Sequence, residues 1–171
     1  SAAITTLRSW TCNVRNMRMA KGVEWALHTL LNLDMIGGGP VGSGQLAEAH
    51  GLSSSYLNKQ LQQLARAELV VSVPGPRGGF RLARPLETIT LLDVVEAIEG
   101  GTELFHCTEI RCSGKIGELS PPPTGACAVN AAMRRAEQAW HQALAAQSLA
   151  DIRAELDRSP TVRHVVRSAL T

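Results

Sequence analysis

A chain of 171 residues, 44% hydrophobic and with a mean hydropathy near zero, is long enough for one domain with or without an appended arm, and apolar enough to bury a core. No apolar run reaches the roughly 18 residues of a membrane span, so no membrane partner is expected. A net charge of +2 excludes a histone-like positive coat but not a local basic face, and 4% aromatic residues are too few for a single-strand binder built on base stacking.

Residues 1–16 hold Arg8, Trp10, Cys12 and Arg15 without a continuous apolar stretch. They read as an N-terminal extension rather than a secretory signal, which makes the cytoplasm the expected compartment. From Arg18 to about Asp34, Met19, Val23, Ala26, Leu27, Leu30 and Leu31 recur at three-to-four spacing, the pattern of an amphipathic helix. Gly37-Gly38-Gly39-Pro40 stops it. Ser43 is placed to cap a short helix that Gly51 ends, and Ser53 opens a further helix. That helix carries Tyr56, Leu57, Leu61, Leu64 and Ala65 on one stripe, with Asn58, Lys59, Gln62, Gln63 and Arg66 off it.

Two β-like runs, Leu69–Val73 and Phe80–Ala83, flank the turn Pro74-Gly75-Pro76-Arg77-Gly78-Gly79. Thr90 and Asp93 have the spacing of a capping box at the start of another helix, which Gly100-Gly101 closes. Residues 101–126 hold most of the cysteines and three consecutive prolines without a period, and read as a long loop. The helical pattern then returns over 127–157. Val129, Met133, Ala136, Trp140 and Ala143 alternate by four and three, as in a helix packed along a partner helix. A continuous helix of about thirty residues would span roughly 45 Å, more than a small domain covers, which favours a homodimer. Ser148, in Ser-Leu-Ala-Asp, marks a place where this helix can break. Residues 158–171 form a basic tail expected at the periphery.

Helix, short helix, helix and hairpin is the order of a winged helix-turn-helix. The expected fold is therefore mainly α with a small β-hairpin wing: a DNA-binding domain over 17–100 followed by a long dimerisation helix. Between Gly51 and Pro85 the basic residues Lys59, Arg66, Arg77, Arg81 and Arg84 face Glu68 alone, so the near-neutral total hides a local surplus. Ser54, Ser55 and Tyr56 at the helix start suit phosphate contacts. Asn58, Lys59, Gln60 and Gln63 suit base edges or backbone of double-stranded DNA. Arg77, at the tip of a turn with Gly78 and Gly79, suits a minor groove, and all three are expected DNA-contact positions. No Gly-x-Ser-x-Gly, Walker-type loop or His-Glu-x-x-His is present, so no enzyme is expected.

Cys107, Cys112 and Cys127 lie in the loop, separated by four and then fourteen residues, which is neither a zinc-ribbon nor a ferredoxin spacing. In a reducing compartment such thiols are ligands or sensors before they are disulfides. Spacing leaves the metal open between zinc and iron–sulfur. Glu24 and His28 share a helix face, and by themselves read more readily as an exposed carboxylate–imidazole pair than as ligands.

The segments GVEWALH, SSSYLNKQLQQLARAELVVSVPGPRGGFRLARP and ITLLDVVEAIEG, within roughly Met17 to Asp151, resemble the winged-helix regulators that include IscR, NsrR and RsrR. The resemblance implies a dimeric transcription factor whose cluster state alters promoter affinity. The RsrR-type pattern is nearest. It implies a 2Fe–2S cluster held by Cys107 in HCTEIR and Cys127 in GACAVNAAM, completed by Glu24 and His28 of the second subunit. Cys112 departs from that pattern, as a spare thiol or a third ligand, and His106 is a rival to His28. A zinc-bound or cluster-free DNA-binding protein with structural cysteines, or a sensor of nitric oxide or iron supply, remain the alternatives.

Overall fold

The computed structural model describes residues 19–101 and 103–171; Cys12 and the first sixteen residues lie outside the described residues. Helix α1 (Lys21–Ile36) is the central element. Ala26, Leu30 and Leu33 on its inner face are at most 2% exposed, and each buried leucine stabilises the fold by about 1.5–3 kcal/mol relative to exposure. The helix ends at Gly37, whose φ of 93° is the left-handed conformation that glycine adopts without steric cost.

Helices α2 (Ser43–His50) and α3 (Ser54–Arg66) follow. Gly42, rather than Ser43, is the N-cap of α2, and its N–H donates to Gln45 Oε1 at 3.1 Å. Ser53 caps α3 as expected, its hydroxyl accepting from the Tyr56 N–H. The leucine stripe Leu57, Leu61 and Leu64 is fully buried. Strands β1 (Val70–Val73) and β2 (Gly79–Leu82) form an antiparallel hairpin with Val70 opposite Leu82 and Val73 opposite Gly79. A reciprocal pair of backbone bonds between Val41 and Phe80, at 2.9 and 2.8 Å, fastens this hairpin to the α1–α2 connection.

Helix α4 (Leu91–Glu99) starts at the Thr90–Asp93 capping box and packs Val94, Val95 and Ile98 into the same core. Beyond it, the segment expected to be without structure holds a 3-10 turn at Ile110–Cys112 and the short helix α5 (Gly114–Leu119).

The segment 127–157 is two helices and not one: α6 (Ala128–Ala145) and α7 (Leu149–Leu156). Ser148 caps α7 with Asp151 as its box partner, and the break is fixed by tertiary contacts. The Gln147 carbonyl accepts the Leu91 N–H at 3.0 Å, the Leu149 N–H donates to the Ile89 carbonyl at 2.8 Å, and the Leu149 side chain is fully buried. The tail is not peripheral. It forms α8 (Pro160–Leu170), which packs on α1 and α2, buries Leu170 and donates from Arg167 Nε to the Met35 carbonyl at 3.1 Å. Among the described residues no helix is long and apolar enough to cross a membrane.

Candidate nucleic-acid interface and cysteine site

Burying one face of α3 leaves its other face to solvent. Ser54, Ser55, Asn58 and Lys59 are exposed as the sequence suggested, and Tyr56, grouped by periodicity with the apolar stripe as well as with the phosphate contacts, is exposed rather than packed with the leucines. Gln60 and Gln63 are not on that face. Gln60 is 7% exposed and sits against Gly22 of α1, where a Cβ would come within 2.8 Å of its Oε1. Gln63 is partly buried and donates from Nε2 to the Ile98 carbonyl at 3.3 Å. Both glutamines therefore belong to the junction of α3 with α1 and α4, which a helical wheel of polar residues does not reveal. Gln62 was missed. It is exposed, and lies four residues after Asn58 and three after Lys59, so it extends the same face toward Arg66.

At the wing, Arg77 is exposed at the turn. At Gly78 and Gly79 the backbone geometry itself requires glycine. A Cβ on Gly78 would meet the Val73 carbonyl oxygen at 2.1 Å, and one on Gly79 the Val41 oxygen at 2.2 Å. Arg84 turns away from the wing, pairing with Asp93 at 3.5 Å and donating to the Thr88 carbonyl. The polar α3 face, the Arg77 tip and the exposed Arg81 on β2 thus remain as the cationic surface, in the arrangement by which a helix enters a major groove and a wing reaches the adjacent backbone.

The cysteine loop is tied down at both ends. Near its start, Glu137 of α6 is 7% exposed and accepts from the Leu104 N–H, while Arg134 pairs with both Glu137 and Glu103. At its end, Cys127 is the N-cap of α6. The Asn130 N–H, followed by the Val129 N–H, the Cys107 side chain and the positive charge of Arg111, holds the Cys127 thiol below its usual range against a burial cost. Cys107 and Cys127 thus come together, half-buried, although nineteen residues separate them. Cys112 is exposed on the neighbouring turn, and His106 is exposed beside Cys107.

Glu24 and His28 are both exposed on α1 and line a shallow cavity of about 380 Å³ with Met19, Val23 and Leu27. His50, at the end of α2, was missed by sequence reasoning. Burial and then the nearby His28 push its pKa down, and its ring meets Trp25 edge-on at 6.2 Å. Among the described residues, no three of His, Cys, Asp or Glu gather into a metal-holding group, so a single chain presents the two predicted ligand pairs apart.

Residues 19–155 match the model of the family described as "Rrf2: Iron-dependent Transcriptional regulator". The chain belongs to the Rrf2 family. It is 35% identical over 136 residues to Protein aau3 of Rhizobium meliloti (strain 1021), covering 80% of this chain and 84% of the relative. Its fold is similar to that of CymR (YrzC), titled the global cysteine regulator of B. subtilis, with a TM-score of 0.63 and 22% identity over 81% of this chain and 98% of CymR. It is also similar to T. potens IscR, with a TM-score of 0.59 and 22% identity over 85% and 91% of the two chains. The helical fold with its two-stranded wing is therefore the winged helix of Rrf2 transcriptional regulators, and DNA binding follows from that membership. Helix α8 begins after the matched stretch ends.

Proposed function

We propose that this Rrf2 regulator acts as a cytoplasmic homodimer that reads promoter DNA through the exposed face of α3 and the Arg77 wing, and that it senses redox state through a 2Fe–2S cluster. The observation that carries the second part is the pairing of Cys107 with Cys127 at the N-terminus of α6. Backbone N–H groups and a guanidinium favour thiolate there, and thiolate is the donor that iron–sulfur clusters take. Glu24 and His28, one turn apart and facing solvent, would supply the remaining ligands from the second subunit. The sparse burial of α6 supports that assembly: of its eighteen residues Glu137 alone is buried, while Val129 is 62% exposed.

When bound, such a cluster supplies reversible one-electron chemistry, and an imidazole ligand in place of a thiolate raises its potential. The chain's own residues do the rest. The α6 N-terminus favours the thiolate form of Cys127, and α1 carries Glu24 and His28 on the helix whose inner face packs against α3. A change of charge at α1 is thus one layer away from the DNA-reading helix.

The test is anaerobic purification with visible spectra and promoter titration. Wild-type protein is expected to be coloured, with its DNA affinity changing on reduction. Cys107→Ala, Cys127→Ala, Glu24→Ala and His28→Ala each lose or shift the spectrum, whereas Cys112→Ala keeps it. A colourless zinc protein, or a cluster whose reduction leaves promoter affinity unchanged, would falsify the redox reading.

A further inference from the structure

One guanidinium joins the two cysteine segments. Arg111 Nε donates to Glu109 Oε2 at 2.7 Å, and Arg111 Nη2 donates to the Gly125 carbonyl, also at 2.7 Å. Glu109 stands two residues after Cys107, and Gly125 two residues before Cys127. The same side chain therefore grips the chain beside each thiol.

The local backbone is arranged for this. Glu109 has a φ of 53°, a left-handed conformation uncommon outside glycine, and it is the N-cap of the 3-10 turn that presents Arg111. That conformation turns the Glu109 carboxylate back toward Cys107, whose Sγ lies 3.9 Å from Oε1, while the same carboxylate receives Arg111. Exposed ion pairs as such contribute little. What distinguishes this one is a planar fork donating in two directions, to segments that a loop with one lone 3-10 turn and one short helix leaves otherwise weakly joined.

We infer that Arg111 is a positioning residue for the cysteine pair: a clasp that holds Cys107 and Cys127 side by side as a dithiol before any metal arrives. The inference rests on reading these two cysteines as a ligand pair, and concerns how the protein alone assembles it. A lysine at this position keeps the charge but cannot reach both Glu109 and the Gly125 carbonyl with fixed in-plane donors, so charge alone does not restore the clasp.

The test uses full-length, metal-free protein carrying Cys12→Ser and Cys112→Ser, titrated with phenylarsine oxide. Trivalent arsenic forms one bond to each of two thiols, and both thiol protons leave with the oxide oxygen as water. A wash with a monothiol strips arsenic held by a single sulfur. The parent protein is expected to retain one arsenical per chain through the wash. Arg111→Ala and Arg111→Lys both weaken retention by roughly tenfold, because the second thiol loses its effective concentration. Circular dichroism, the melting temperature and promoter binding stay at parent values. Glu109→Gln, which leaves the Gly125 contact, falls between. Retention at parent strength in Arg111→Ala overturns the clasp, and so does full rescue by lysine. If the parent retains arsenic in an Arg111-dependent way yet never takes up iron and sulfide anaerobically, the cluster reading fails and the clasp stands. If a cluster forms while arsenic retention ignores Arg111, the reverse holds.

Discussion

Replacing Gln60 by methionine is expected to stabilise the protein and to leave its DNA affinity unchanged. Gln60 is 7% exposed, and its Oε1 meets no hydrogen-bond donor among the described residues. A buried acceptor left without a partner costs about 1–3 kcal/mol. Methionine has a similar length, brings no polar atom into this space, and adapts to irregular gaps. Swaps that conserve volume themselves cost less than about 1.5 kcal/mol. The balance is a gain of about 1 kcal/mol, which for a chain of this size raises Tm by about 2–4 °C. Thermal unfolding by circular dichroism and promoter titration by fluorescence anisotropy read the two outcomes. A fall in Tm would mean that the amide has a partner in the folded protein. A tenfold loss of promoter affinity at unchanged Tm would return Gln60 to the DNA-reading face, where the sequence pattern alone placed it.

Lys59→Ala should weaken DNA binding across all sequences and reduce the slope of log affinity against log salt by roughly 0.9, measured by anisotropy at several salt concentrations; an unchanged slope would remove Lys59 from the phosphate contacts. Gly79→Ala should destabilise the protein by at least about 2 kcal/mol in urea unfolding, since φ is 150° there and the new Cβ would meet the Val41 oxygen at 2.2 Å. Ser148→Ala removes the cap of α7 and should cost about 1 kcal/mol by the same measurement. The Asp157 carboxyl is held below its ordinary value of 3.8, first by hydrogen bonding from Arg153 and then by the charges of Arg153 and Arg163. Its folded pKa is depressed, so its contribution is present above that ordinary value and is lost as pH falls through the lower, folded one. Acid unfolding of Asp157→Asn should accordingly show a shallower loss of stability in that range than the parent, and identical curves would dismiss the ion pair.

How much of the site was legible depended on whether a residue's role was local. Ser53, Thr90 and Ser148 announce helix starts because a cap is satisfied within three residues, and the structure uses all three as N-caps. Gly78 and Gly79 were visible as special residues, but their reason was not: the oxygens they avoid belong to Val73 and Val41, the latter thirty-eight positions away from Gly79. Gln60 and Gln63 were misplaced because amide side chains look alike on a wheel whether they face water or the Ile98 carbonyl. His50 carried no signal at all, since its relation to Trp25 and His28 exists only once α2 packs on α1.

The sequence by itself determined the elements of the winged DNA-reading unit and the family. Leucine spacing, capping residues and the glycine-rich turn are short-range constraints, and they specify a mainly helical winged domain with a basic α3 face on a chain of net charge +2. Only the tertiary structure decided that the long C-terminal helix does divide at Ser148, that the tail returns to cover α1, and that Cys107 meets Cys127 across nineteen residues. Each of these depends on partners distant in the chain: the backbone at Ile89–Leu91, the Met35 carbonyl, and the Arg111 fork between Glu109 and Gly125. Periodicity records which face of a helix is apolar, but it carries no record of what that face or its ends will meet.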